Sequence, residues 1–373
     1  MCINRYGRAL VLLLLGIVSG CGSSDQYRPP TNDAVLRLAF TPDTTEDAPV
    51  LGRPENVTPF GDAVVIPDAM AHKLHFYAFD GTYIRSIGDR GPGPGEFQEL
   101  TDVFVVDASH LAVTDWRNAR ASMYDRDGNL ASTIRTTGHQ YVRNVQSVGT
   151  KSVMAIIPLP SEPGADRLFH PLVFGDDSLS FDRAFGDIAM FGYEDETVRR
   201  IGSTEVGTLL GMVDGSMIYI PKYYDGYIFR IQSNDDDWNY RRIELSPMEQ
   251  DAVEVVLEPP FEMGYVTAAA RGKGIAVRRE SRGAWLMESG DIYNFVVQPN
   301  GDEYVFGIEI IDPVSETISS FAILDTFQGT PPSNIPYYGT FPQAKSDDDV
   351  FFFVEYVMDG PTSVNGYRIE FAR

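Results

Sequence analysis

Five histidines, His72, His75, His110, His139 and His170, fall in one stretch of the chain. A catalytic zinc needs about three protein ligands converging on one point. Carboxylates from elsewhere would have to complete any such site, and no complete metal set is legible. Asp115, Trp116 and Arg117 place a carboxylate, an indole and a guanidinium in succession. That trio is the candidate ligand-binding group, although Asp115 could equally cap a turn while Arg117 pairs with an acid. The glycine-rich run Gly88 to Gly95 suggests a phosphate cradle, but a phosphate loop ends in Lys followed by Ser or Thr. Here Pro92 and Pro94 remove backbone donors and Glu96 repels anions, so the run reads as a linking loop. Asp125-Arg126-Asp127-Gly128-Asn129 opens like a calcium loop, yet Leu130 and Thr136 stand where Gly and Glu are required. It reads as a hairpin turn. Asp235 to Asp237 and Asp347 to Asp349 fit either a calcium edge site or solvated turns. No Gly-x-Ser-x-Gly elbow is present, and no cofactor motif.

The elements that must position these groups are strands. Short runs rich in β-branched and aromatic residues, such as Ala63 to Ile66, Leu74 to Phe79, Val103 to Val106, Met217 to Ile220, Tyr227 to Ile231 and Val350 to Val354, are separated by turn residues. The chain is therefore expected to be all-β. One exception is expected: Ser246-Pro247-Met248-Glu249 has the cap, first-turn proline and acid of a helix start, and Met248, Ala252, Val255 and Val256 share a helical face before Pro259-Pro260. One short inserted helix is predicted there.

At the N-terminus, Arg5 and Arg8 precede the apolar run Ala9 to Val18 and the small pair Ser19-Gly20. That is the pattern of a cleaved secretory leader over residues 1–20, too short to span a bilayer. Val18-Ser19-Gly20-Cys21 resembles the lipobox of bacterial lipoproteins. The resemblance implies that Cys21 is acylated and becomes the first mature residue. Of the two cysteines, Cys2 leaves with the leader, so no disulfide is expected in the mature chain. Residues 21–33, polar and holding Pro29-Pro30, read as the tether, and residues 34–373 as the folded domain. Without Asp at position 22, the lipoprotein sorting pattern implies the outer rather than the inner membrane of the cell envelope.

Leu74 to Arg85 aligns with Ala121 to Leu130, and Asp80-Gly81 and Asp127-Gly128 lie 47 residues apart. A period of about 40–50 residues with four short strands marks a β-propeller, because one such sheet cannot bury both faces alone. Val113 to Asn129 resembles an NHL-type repeat, and Ser86 to Phe97 resembles the Gly-Pro-Gly-Glu-Phe loop linking blades in NHL-like six-bladed propellers, many of them bacterial lipoproteins. The resemblance implies a six-bladed β-propeller of four-stranded antiparallel blades. The expected divisions fall near 57–100, 101–142, 143–200, 201–245, 270–325 and 336–373. Ala34 to Phe40 alternates, with Leu36, Leu38 and Phe40 on one face, and is expected to pair with the last blade near Val350 to Val354 and Tyr367 to Phe371.

A formal charge of −23 repels phosphate backbones and anionic lipid, so nucleic acid is excluded as a partner and Cys21 is the expected membrane contact. The expected function is a surface-tethered binding or scaffolding module for an envelope protein or glycan. The alternative is a metal-dependent propeller enzyme, of lyase or lactonase type, with its site in the central channel.

Overall fold

The computed structural model describes residues 31–136 except 55 and 116, then 145–148, 152–156, 167–174, 178–181, 185–187, 207–245 except 225, 235 and 236, 253–256, 274–277, 279–300, 303–328, 341–355 and 362–372. Every regular element among them is a β-strand.

The strands form six consecutive antiparallel sets of four. The first blade holds Thr58–Phe60, Ala63–Asp68, Lys73–Ala78 and Tyr83–Ile87, and the second Leu100–Asp107, His110–Asp115, Arg120–Asp125 and Leu130–Thr136. The third is built from Val145–Val148, Ser152–Ile156, Arg167–Phe174 and Ser178–Phe181; the fourth from Thr208–Gly211, Met217–Ile220, Tyr227–Asn234 and Asp237–Glu244. Arg279–Leu286, Ile292–Asn300, Glu303–Asp312 and Thr317–Gln328 make the fifth. In the sixth, Phe341–Lys345, Phe351–Glu355 and Ser363–Phe371 are joined by Thr31–Phe40 from the start of the chain. The first strand of each blade neighbours that of the next, and the sixth returns to the first. The ring is closed around six innermost strands, as the repeat implied.

Stacking explains why the strands read as continuous apolar runs rather than as alternating ones. Along Ala63–Asp68, Val65 packs with Phe97 of the linking loop and with Val103 and Val113 of the second blade, while Val64 and Ile66 pack with Phe352 and Val354 of the sixth. Both faces are buried, so both must be apolar. The fourth and fifth blades share a similar core through Ile218, Ile228, Val296 and Ile311.

The closing strand pairs as expected with Tyr367 to Phe371: Ala34 opposes Phe371, Leu36 opposes Ile369 and Leu38 opposes Tyr367. The stretch near Val350 to Val354 is one strand further in, reached by the Phe40 ring, 5.3 Å from that of Phe352. Three details depart from expectation. The strand begins at Thr31, inside the stretch assigned to the tether, because Thr31 to Asp33 also pair in parallel with Phe321 to Ile323 of the fifth blade. Phe40 does not share the face of Leu36 and Leu38: a register shift between Leu38 and Phe40 turns Phe40 toward Val64 and Phe352, while Leu36 packs on the side of Phe295, and Leu38, in line with Leu36, is 62% exposed. The inserted helix is also corrected, since Val253–Val256 is a strand paired with Gly274–Val277. Three valines in four residues favour the extended chain, and a partner hairpin arm outweighs a cap signal. Residues 246–252 of that expectation lie outside the described residues.

Candidate functional site

The second strands of the first two blades end in buried aspartates, Asp68 and Asp115. Asp68 accepts backbone N–H bonds from Gly52 (2.6 Å), Arg53 (3.0 Å), Met70 (2.9 Å) and Ala71 (3.0 Å). Asp115 does the same for Gln98 (2.8 Å), Glu99 (3.0 Å) and Asn118 (3.4 Å), and accepts from Asn118 Nδ2 at 2.6 Å. Each carboxylate thus ties the turn after its strand to the segment arriving from the preceding blade. Burial pushes Asp68 up, but these N–H donors and nearby His75 outweigh it and hold the carboxyl below its usual range.

The expected trio therefore divides by role. Asp115 is 1% exposed with its oxygens taken by the corner, whereas Arg117 projects outward, its Nε 3.0 Å from Glu99 Oε2. Trp116 lies outside the described residues. The glycine-rich loop folds onto the same corner. Arg120 donates to the carbonyls of Pro92 (2.9 Å) and Gly93 (2.6 Å), Asn118 Nδ2 donates to Gly91 O (3.1 Å), and Glu96 accepts from Gly93 N (2.7 Å). Phe97 anchors the loop in the core at 0% exposure. The loop presents carbonyls inward to a guanidinium, not N–H groups outward to phosphate, and so links blades.

Among the described residues no group of three or more potential metal ligands converges. His75 is buried, its Nδ1 2.7 Å from Ser86 Oγ and its Nε2 3.9 Å from Asp68. Burial pushes its pKa below the ordinary histidine value despite the opposing pull of Asp68. His110 pairs with Asp107 at 3.0 Å, and Asp125 closes its turn by accepting from Asn129 N at 2.8 Å. His139 lies outside the described residues, as does the side chain of His170.

Two features escaped sequence reasoning. Between the fourth and fifth blades, Arg279 is paired with Glu309 in the interior, and Asn294 Nδ2 donates to the other Glu309 oxygen at 3.1 Å. Burial pushes the Glu309 carboxyl up to about 8, against the pull of Arg279. On the rim between the same blades is a cavity of about 430 Å³ lined by Arg230, Gln232, Asn239, Arg241 and Glu316, among others. Arg230 bridges its two sides, reaching Asp214 at 3.2 Å and the Pro313 carbonyl at 2.5 Å. Only charges scattered across a hundred residues mark this cleft in the sequence, with no local motif.

A family profile described as a 6-bladed beta-propeller, DUF5128, matches residues 23–142. The fold is that of a six-bladed β-propeller. BF0058 of Bacteroides fragilis, described provisionally as an exported protein, superposes with a TM-score of 0.56 at 12% identity, over 92% of this chain and 99% of its own. A member of the duf4221 family from Bacteroides vulgatus gives 0.50 at 11%, over 91% and 99%. Virginiamycin B lyase from Staphylococcus aureus reaches 0.44 at 9%, over 90% and 99%, a likeness too remote to inform activity. No curated protein matches the sequence.

Proposed function

We propose that the chain is a lipid-anchored envelope protein, tethered through Cys21 to the outer membrane, whose propeller binds an envelope protein or glycan. The corner of the second blade is the proposed contact, with Trp116 and Arg117 touching the ligand and Asp115 positioning them. One observation carries this reading: Asp115 braces the corner with four hydrogen bonds, leaving Arg117 on a rigid turn. Side chains presented from a preorganised backbone lose less freedom on binding. Fold alone assigns no ligand, so the site has to carry the argument.

Native mass spectrometry of the mature protein purified from its host tests the reading. The wild type is expected to carry a protein or glycan that Trp116→Ala and Arg117→Ala lose together. Equal occupancy in both variants would remove the corner from consideration, and stoichiometric metal in the wild type would favour the lyase or lactonase alternative. For the anchor, Cys21→Ser is expected to abolish fatty-acid labelling and shift the protein out of the membrane fraction, because several acyl chains are needed for a stable tether. Unchanged fractionation would overturn that part.

A further inference from the structure

Two valines stand at hairpin tips on the rim cleft, where turn chemistry has no use for them. Val213 is 100% exposed and Val314 is 89% exposed. The first turn is closed without Val213: Met212 N donates to Ser216 O at 2.8 Å, Asp214 accepts from Ser216 N at 2.9 Å, and Gly215 takes the positive φ. In the second, Asp312 accepts from Val314 N at 2.8 Å and Ser315 N at 3.2 Å, so the Val314 side chain adds nothing to the fold. β-branched residues are poor turn formers, and Gly, Asn, Asp, Pro or Ser would serve better. Arg230 holds the two tips side by side by bonding to the neighbours of both valines, Asp214 and Pro313.

The route of the chain links these tips to the anchor. Thr31 to Asp33 run parallel to Phe321 to Ile323, so the strand points back from Thr31 along the fifth blade's outer strand toward Thr317. The hairpin carrying Val314 lies just beyond that end. Cys21 is ten residues before Thr31, a reach of at most about 35 Å, so an acylated Cys21 keeps the bilayer close to this rim. Charge permits the approach. The chain is strongly acidic as a whole, but around the tips Arg230 and Arg241 offset all but one of the carboxylates of Asp214, Asp312 and Glu316.

We infer that the rim between the fourth and fifth blades rests on the bilayer holding the anchor, with Val213 and Val314 dipping into the headgroup region. This adds a second membrane contact to the one through Cys21, and it rests on the proposed acylation. It also turns the second blade, two places round the ring from the fourth and three from the fifth, away from the membrane, where the corner of Asp115 and Arg117 faces the open compartment.

The lipidated mature protein in phosphatidylcholine vesicles provides the test. A single cysteine replaces Val213, Val314 or, as a control on the second blade, Leu130, and carries an environment-sensitive fluorophore; acylated Cys21 does not react. Nitroxide-labelled lipid is expected to quench the probes at 213 and 314 at least about twofold more than the probe at 130, as for side chains a few ångströms into the interface. Equal quenching at all three would mean that a whole face docks, overturning the rim contact. Fatty-acid labelling with no quenching anywhere would overturn it while leaving the anchor intact. Absence of fatty acid on Cys21 would remove both.

Discussion

A single buried carboxylate decides the geometry of each blade corner, and its removal is a direct measure of that role. Asp115→Ala leaves several buried N–H groups without an acceptor and is expected to cost about 3 kcal/mol in equilibrium urea unfolding. Arg117→Ala, at an exposed ion pair, is expected to stay within about 0.5 kcal/mol. Equal losses would mean that the corner is held by the outer pair instead. His75 sets a pH dependence. Its folded pKa is depressed, so the folded protein takes up that proton less readily than the unfolded chain. The associated stability is full above about pH 6.5 and is lost as pH falls below it. Asp68, also depressed, adds a second loss below about pH 4. The melting temperature is expected to decline through the first window in the wild type and to lose that step in His75→Gln. At this scale the sequence was informative about residue type and ambiguous about role. Asp115, Trp116 and Arg117 could be read as binders or as a turn cap and an ion pair, and the four donors around Asp115 mark it as the brace and Arg117 as the presented side chain.

Strands were legible wherever both faces are buried, because Ala63 to Ile66 or Met217 to Ile220 cannot be anything but interior. Legibility failed where pairing partners are distant. Val253–Val256 satisfied a helical spacing and a strand composition at once, and its partner at Gly274–Val277 settles the matter from outside the local sequence. Arg279-Glu280-Ser281-Arg282 carries no strand signal, yet it is an inner strand because Tyr223–Tyr224 and Val296–Val297 flank it. Its Arg279 is met in space by Glu309, which accepts its hydrogen bond and is invisible in one dimension. Glu309→Leu alone strands a buried arginine and is expected to cost about 3–5 kcal/mol, while Arg279→Met combined with Glu309→Leu recovers most of that loss. Additive losses in urea unfolding would show that the two residues act independently. The closing strand gives a further test at this scale: a chain beginning at residue 45 is expected to aggregate or lose cooperative unfolding, whereas one beginning at residue 32 keeps the pairing with Tyr367 to Phe371 and melts like the whole domain. Identical melting of the two would remove Thr31–Phe40 from the closure.

At the scale of the whole molecule, the closed ring makes completion of the chain a condition of its own stability. Arg37 meets Glu370 at 2.8 Å across 333 positions of sequence, and the last blade has no outer strand until that meeting occurs. During synthesis the N-terminal segment therefore waits for the later residues of the last blade to follow it. Pairing across such a separation is slow, and an open edge is sticky while it lasts. A product cut short before Ser363 leaves Ala34 to Phe40 with no strand to receive them. The closing strand thus works as a clock and an inspector: only a chain that has reached its last strand can hide its own beginning.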